Sequence, residues 1–159
     1  MTEMCISAAN YIIRQVNENY KGVFMSSKRL QKLLFFSDVL YMTRHDGQSM
    51  FDDEYYAWPS GPVIPDVYDT FMQYQSGIML PYDEKNHTLT DEGQTRTIDA
   101  VLEDTKDKDT VELVNRSHRA GGPWDEMYDE ANPKHDDLIS KRSIFNYYLK
   151  HGAPYGTQN

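Results

Sequence analysis

The sequence has a single cysteine, Cys5, among its 159 residues. One cysteine forms no internal disulfide and supplies no cysteine-based zinc site. No apolar run approaches the roughly 18 residues that span a bilayer, and the first residues lack the basic start and continuous apolar core of a signal peptide. We therefore expect a cytoplasmic protein with no membrane segment.

Basic residues are also scarce. Lysine and arginine number 16 against 25 aspartates and glutamates, which gives a net charge of −9. Such a charge repels the phosphate backbone, so it disfavours nucleic acid and favours a basic protein partner. Three basic residues on one predicted helix, Lys28, Arg29 and Lys32, keep open the alternative of a winged-helix-like, DNA-binding regulator.

Aromatic residues are plentiful. They make up 13% of the chain and include 12 tyrosines. Tyrosine combines a large apolar face with a polar tip, which suits a surface that contacts a partner. The length fits one compact domain with its own core. We predict a single domain over residues 1–152, followed by a flexible C-terminal tail at residues 153–159.

The spacing of apolar residues predicts a mainly α fold of five to seven helices with a small β-hairpin or short β element. A first helix should end near Gly22, and a second should run from a Ser26 or Ser27 cap to Gly47. The β element is expected at residues 49–58 or as a hairpin at residues 78–90. Later helices are predicted from Pro65 to Gly77, from a Thr90 cap through Leu102, over Val111 to Ser117, and from a Ser140 cap to Gly152.

The sequence contains residue types that are used in catalysis, but not in the combinations that catalytic sites need. His118 could act as a general base, yet no nucleophile lies in a recognisable elbow and no carboxylate is paired with it. We interpret His118 as a hydrogen-bonded side chain that braces the turn at Trp124. His135, Asp136 and Asp137 are adjacent in the chain and cannot all point at one ion. We therefore expect no catalytic residue, no metal and no cofactor, and a protein that is not an enzyme.

The run from Leu30 to Phe71 resembles the signature of the Panacea domain family, which comprises SocA-like antitoxins and phage-associated GepA proteins. A leucine-lysine-leucine helix is followed by the spacing W-x-x-G-P-V-x-P, and the similarity covers roughly residues 5–150. We expect the matching residues to be mainly structural. They are Leu30, Lys32, Leu33, Phe51, Asp53, Ala57, Trp58, Gly61, Pro62, Val63, Pro65, Val67, Tyr68, His118, Pro123 and Trp124.

The resemblance implies an antitoxin that silences a cognate toxin by direct protein–protein binding, in a phage- or prophage-associated system. A second option within the family is a proteolytic adaptor that delivers the toxin to a cytoplasmic ATP-dependent protease. A homodimer is left open. The residues predicted to contact the toxin are polar or aromatic, and most lie beside the apolar part of the signature: Asp52, Asp53, Tyr55, Tyr56 and Tyr82.

Overall fold

The computed structural model describes residues 2–74, 77–131 and 137–157. Within these ranges it contains seven helices and one three-stranded antiparallel sheet, which confirms the mainly α fold. The elements are α1 (Thr2–Asn19), α2 (Ser27–Arg44), β1 (Tyr55–Trp58), β2 (Gly61–Val63), α3 (Pro65–Phe71), α4 (Glu92–Thr105), α5 (Thr110–Ser117), α6 (Pro123–Met127), β3 (Leu138–Ile139) and α7 (Lys141–His151).

Helix α2 is the central element. It contacts α1, α3, α4, α5, α7 and β2, and most of its residues are buried. The Ser26 hydroxyl accepts a hydrogen bond from the Arg29 amide, as expected of a serine N-cap. Because the helix is covered on nearly every side, polar residues within it are also buried, and each needs a hydrogen-bonding partner inside the protein.

The sheet has the strand order β2-β1-β3, and β1 and β2 form a hairpin. The residue pair that closes the hairpin is Trp58 with Gly61. Gly61 has φ +121°, and a Cβ there would lie 2.6 Å from Ser117 Oγ and 2.7 Å from Lys32 Cε. Both the backbone conformation and the lack of space require glycine at this position.

Of the two predicted places for the β element, residues 49–58 contain β1, whereas the hairpin predicted at residues 78–90 is wrong, because residues 77–91 contain no strand. The backbone of this segment bonds instead to asparagines of α1. The Asn10 side chain bonds the Tyr82 amide at 2.8 Å and the Tyr82 carbonyl at 2.7 Å, and Asn17 donates to the Met79 carbonyl at 2.9 Å. These bonds replace the cross-strand ladder that a hairpin would form.

Two predicted helix limits also need correction. Helix α3 ends at Phe71 rather than at Gly77, and Asp91 rather than Thr90 caps α4 by accepting from the Gln94 amide. At the other end of the chain, the Ser140 cap is confirmed by its bond from the Ser143 amide.

The prediction of a flexible tail from residue 153 is wrong for Tyr155 and Gly156. Tyr155 is only 3% exposed, and its ring packs edge-on against Phe36 at 5.0 Å. The Gly156 amide donates to Asp104 Oδ2, and its carbonyl accepts from Arg44. Tyr155 and Gly156 therefore pack against the helices.

Candidate partner-binding site

The hairpin backbone is held by side chains of α2. Strand β2 lies at an edge of the sheet, so its outward backbone groups need partners. Lys32 Nζ donates to the Pro62 carbonyl at 2.7 Å, and the Gln31 amide bonds both the N–H and the carbonyl of Ile64 at 2.9 and 3.2 Å. The buried polar residues of α2 thus fix the position of β2.

The other strand of the hairpin is held by an aromatic stack. The Trp124 indole donates to the Trp58 carbonyl at 2.7 Å. Its ring lies parallel to His118, with ring centres 3.6 Å apart, and stacks on Tyr128 at 4.7 Å. Burial and the nearby charge of Lys32 lower the pKa of His118, which favours the neutral ring in this stack.

Two ionisable residues of α2 are fully buried. Burial, assisted by the charge of Lys28, lowers the pKa of Lys32 to about 7. Asp38 accepts hydrogen bonds from the Ser49 hydroxyl, the Met50 amide and the Tyr55 hydroxyl at 2.7 to 2.8 Å. Burial nevertheless raises the pKa of Asp38. Both groups anchor the segment around the hairpin to α2.

A groove of about 570 Å³ opens beside the hairpin, between the first turn of α2, α3 and α5. Trp58 and Tyr68 are half-buried in it and meet edge to face, with ring centres 5.2 Å apart. We call it the aromatic groove. Its lining residues are Ser27, Lys28, Gln31, Trp58, Pro59, Ser60, Val63, Tyr68 and Val114.

A second groove, of about 400 Å³, lies at the end of α1. Phe24 is 64% exposed and Ile78 is 74% exposed at its border. We call it the loop groove. It is lined by Val16, Asn17, Lys21, Gly22, Val23, Phe24, Met25, Gly77, Ile78 and Met79. The sequence predictions missed it, although the apolar residues that follow Gly77 were a usable signal.

In the structure, some of the residues predicted to contact a toxin are exposed and others are buried. Asp52 and Tyr82 are exposed and Tyr56 is half-buried. Asp53 and Tyr55 are buried, which corrects the expectation that their side chains are presented to a partner. Side chains alternate along β1, so Tyr55 points to the core, where its hydroxyl donates to Asp38.

The basic residues of α2 do not form a DNA-reading face. Arg29 is buried and donates to the carbonyls of Lys108 and Thr105 at 2.8 and 2.9 Å, at the C-terminal end of α4. A cation at this end interacts favourably with the helix dipole. Lys32 is buried under the hairpin, which leaves only Lys28 of the three exposed.

The residues of the family signature that were predicted to be structural lie mainly in the interior. Pro65 occupies the first position of α3, where its missing N–H costs no hydrogen bond. Trp58, Pro65, Tyr68 and His118 are half-buried, and of these the rings of Trp58 and Tyr68 lie along the aromatic groove. The buried members are Leu30, Lys32, Leu33, Phe51, Asp53, Ala57, Gly61, Pro62, Val63, Val67, Pro123 and Trp124.

No group of three histidine, cysteine, aspartate or glutamate side chains in the described part of the chain is placed to hold a metal ion. His135 and Asp136 lie outside the described residues, and the Asp137 carbonyl accepts from the Ala57 amide at 2.8 Å. None of the described helices has the length and apolarity that crossing a bilayer requires.

Comparison with protein families places the hairpin and its surroundings in a known domain. The family model described as antitoxin SocA-like, Panacea domain matches residues 30–125, which run from α2 to α6. The chain belongs to this family. The matched segment begins within α2 at Leu30 and includes the hairpin and the stack of His118 on Trp124. It contains most of the lining of the aromatic groove, whereas Ser27 and Lys28 lie before it. No curated protein and no solved structure matches the chain.

Proposed function

We propose that this protein is an antitoxin that neutralises a toxin encoded beside it by covering the toxin through direct binding, without chemistry of its own. The observation that carries the proposal is the Panacea domain match over residues 30–125. The aromatic groove adds a physical basis, since it presents aromatic side chains on a hairpin backbone that is held by hydrogen bonds.

Trp58 and Tyr68 have the properties of interface anchors. Aromatic residues held by a rigid backbone lose little conformational entropy when they bind, and such residues dominate the energy of many interfaces. The hydrogen bonds of Lys32, Gln31 and Trp124 to the hairpin supply that rigidity. A stable complex buries on the order of 1,200 to 2,000 Å² in total, so the interface extends well beyond the groove.

The acidic character of the chain supports a role in association. With a net charge of −9, the protein attracts a basic toxin over a distance and speeds encounter. Asp52 and Tyr82 are exposed and Tyr56 is half-buried, which makes them candidates for the outer part of the interface. The protein would act in the cytoplasm, against a phage- or prophage-encoded toxin.

Growth assays with the neighbouring genes test this function. Each flanking reading frame is expressed alone and together with this protein. We expect one product to arrest growth alone, to be harmless in co-expression, and to co-elute with this protein in a stoichiometric complex. If no flanking product is toxic, or none is relieved, the proposal is wrong.

The same assay separates binding from proteolytic delivery. Direct neutralisation leaves the toxin at its normal level within the complex. An adaptor that hands the toxin to an ATP-dependent protease lowers the toxin level, and deletion of that protease then restores growth arrest. We expect an unchanged toxin level.

A further inference from the structure

The aromatic groove lacks negative charge in a strongly acidic chain. The sequence has 25 acidic residues, yet none of the described residues that line the groove is one of them. Lys28 lies at its border with an exposed side chain. The first turn of α2, which borders the groove, contains no acidic residue, so the positive end of the helix dipole is not offset there.

A second lysine lies directly behind the groove. Lys32 has no exposed surface, and its Nζ donates to the Pro62 carbonyl, close to the lining residues Ser60 and Val63. Burial lowers the pKa of Lys32, and the like charge of Lys28 lowers it further. An anion in the groove would offset the repulsion between Lys28 and the buried Lys32 and favour the charged form of Lys32.

The groove also offers an apolar surface of defined shape. Trp58 and Tyr68 meet edge to face, and Val63 and Val114 continue the surface. A volume of about 570 Å³ is sufficient for one or two large side chains and is within the range of ligand pockets, but it is too small for a folded element. Its occupant is therefore a short segment.

We propose that the aromatic groove binds a segment of the toxin in which a carboxylate side chain lies next to a large apolar side chain. The apolar side chain packs against Trp58 and Tyr68, and the carboxylate pairs with Lys28. The identity of the partner as a toxin rests on the proposed function, whereas the preference for an acidic, apolar segment rests on the groove alone.

Peptide binding tests the chemistry of the groove without the toxin. The chain has only two tryptophans, so the indole N–H signals of Trp58 and Trp124 report separately in a ¹⁵N-resolved NMR spectrum. The probes are the blocked tripeptides Asp-Phe-Leu and Lys-Phe-Leu at millimolar concentration. We expect the acidic peptide to shift the Trp58 signal more than the Trp124 signal, and the basic peptide to shift neither. Equal shifts with both peptides, or none with the acidic one, would overturn the proposal.

Charge reversal tests the groove in the complex with the toxin. Lys28→Glu should weaken binding at least about tenfold, since it places like charges together. An acidic residue in the first turn of α2 favours the helix dipole, so this variant should remain folded, as a thermal melt will show. Lys21→Glu is the matched control, because Lys21 is also exposed but lines the loop groove. It should change binding by less than about twofold.

The outcomes of these experiments separate failure of the groove proposal from failure of the proposed antitoxin function. If the toxin is neutralised and Lys28→Glu binds it normally, the function holds and the groove proposal is wrong. If Lys21→Glu alone weakens binding, the toxin occupies the loop groove instead. If no flanking product is toxic, the function fails, and the peptide spectra still decide the chemistry of the groove.

Discussion

The aromatic groove and the loop groove present similar apolar side chains on two different kinds of backbone. The walls of the aromatic groove are helices and a hairpin whose carbonyls are held by buried side chains such as Lys32 and Trp124. The loop groove lies between α1 and irregular segments near Phe24 and Ile78. The aromatic groove is therefore walled by regular elements, whereas the loop groove is walled by irregular segments that are bound to α1 through the bond from Asn17 to the Met79 carbonyl.

The largest effect is expected when the hairpin is disrupted. Gly61→Ala adds a methyl group at φ +121°, against Lys32 Cε and Ser117 Oγ, and should lower the free energy of unfolding by about 3 kcal/mol. Gly77→Ala is the matched control in the loop groove, with φ +83° and no atom within 4 Å of the added Cβ. It should cost only about 1 kcal/mol. Urea denaturation measures both, and equal costs would contradict a special role for the hairpin.

The loop segment should depend on one side chain of α1. Asn10 bonds the amide and carbonyl of Tyr82 and the carbonyl of His87. Asn10→Ala should therefore cost about 2 kcal/mol and speed hydrogen exchange near Tyr82, with no change at the hairpin. Asn19→Ala, at an exposed position, is the control and should cost little. If exchange at the hairpin also rises, the two grooves are not independent.

The buried lysine should make stability depend on pH. Its pKa is lowered to about 7 from 10.5, so between these values the unfolded chain binds more protons than the folded protein, and the free energy of unfolding rises with pH. Between about pH 7 and 8.5 the gain should be about 1 to 2 kcal/mol. This interval stays below the region where the raised pKa of Cys5 acts in the opposite direction.

Lys32→Met provides the comparison for this effect. The methionine keeps much of the side-chain volume and removes the titration, so we expect a flatter dependence of the free energy of unfolding on pH. Denaturation curves at a series of pH values measure the difference. The same slope in both proteins would show that another group is responsible.

The smallest effect on stability is expected in the loop groove. Ile78 is 74% exposed, so Ile78→Ser should change the free energy of unfolding by less than about 0.5 kcal/mol. Met79→Ser is the matched control, because Met79 is buried next to it and should cost about 2 kcal/mol or more. A large loss for Ile78→Ser would mean that this surface is structural.

Apolar spacing and capping signals predicted six of the seven helices in the described residues, but not the short α6. The stripes of α1 and α2, the serine caps at Ser26 and Ser140, and the stop at Gly152 are local signals, and the structure contains them all. The hairpin was harder to predict, because strands of three and four residues with a proline are too short for a clear alternation.

The buried polar residues could not be predicted from spacing. Lys32 and Arg29 lie on the side of α2 opposite the apolar stripe, which normally faces solvent. They are buried because the hairpin and α4 cover that side, and this depends on contacts between residues far apart in the chain. The packed position of Tyr155 has the same origin, since no periodic pattern follows Gly152.

A crystal structure of this protein bound to its toxin would test most directly whether the hairpin and α2 form a prebuilt surface for another protein. We predict a toxin segment with a carboxylate at Lys28 and an apolar side chain against Trp58, and a hairpin backbone that moves by less than about 1 Å on binding. A toxin that leaves the aromatic groove empty, or a hairpin that refolds around it, would contradict this account.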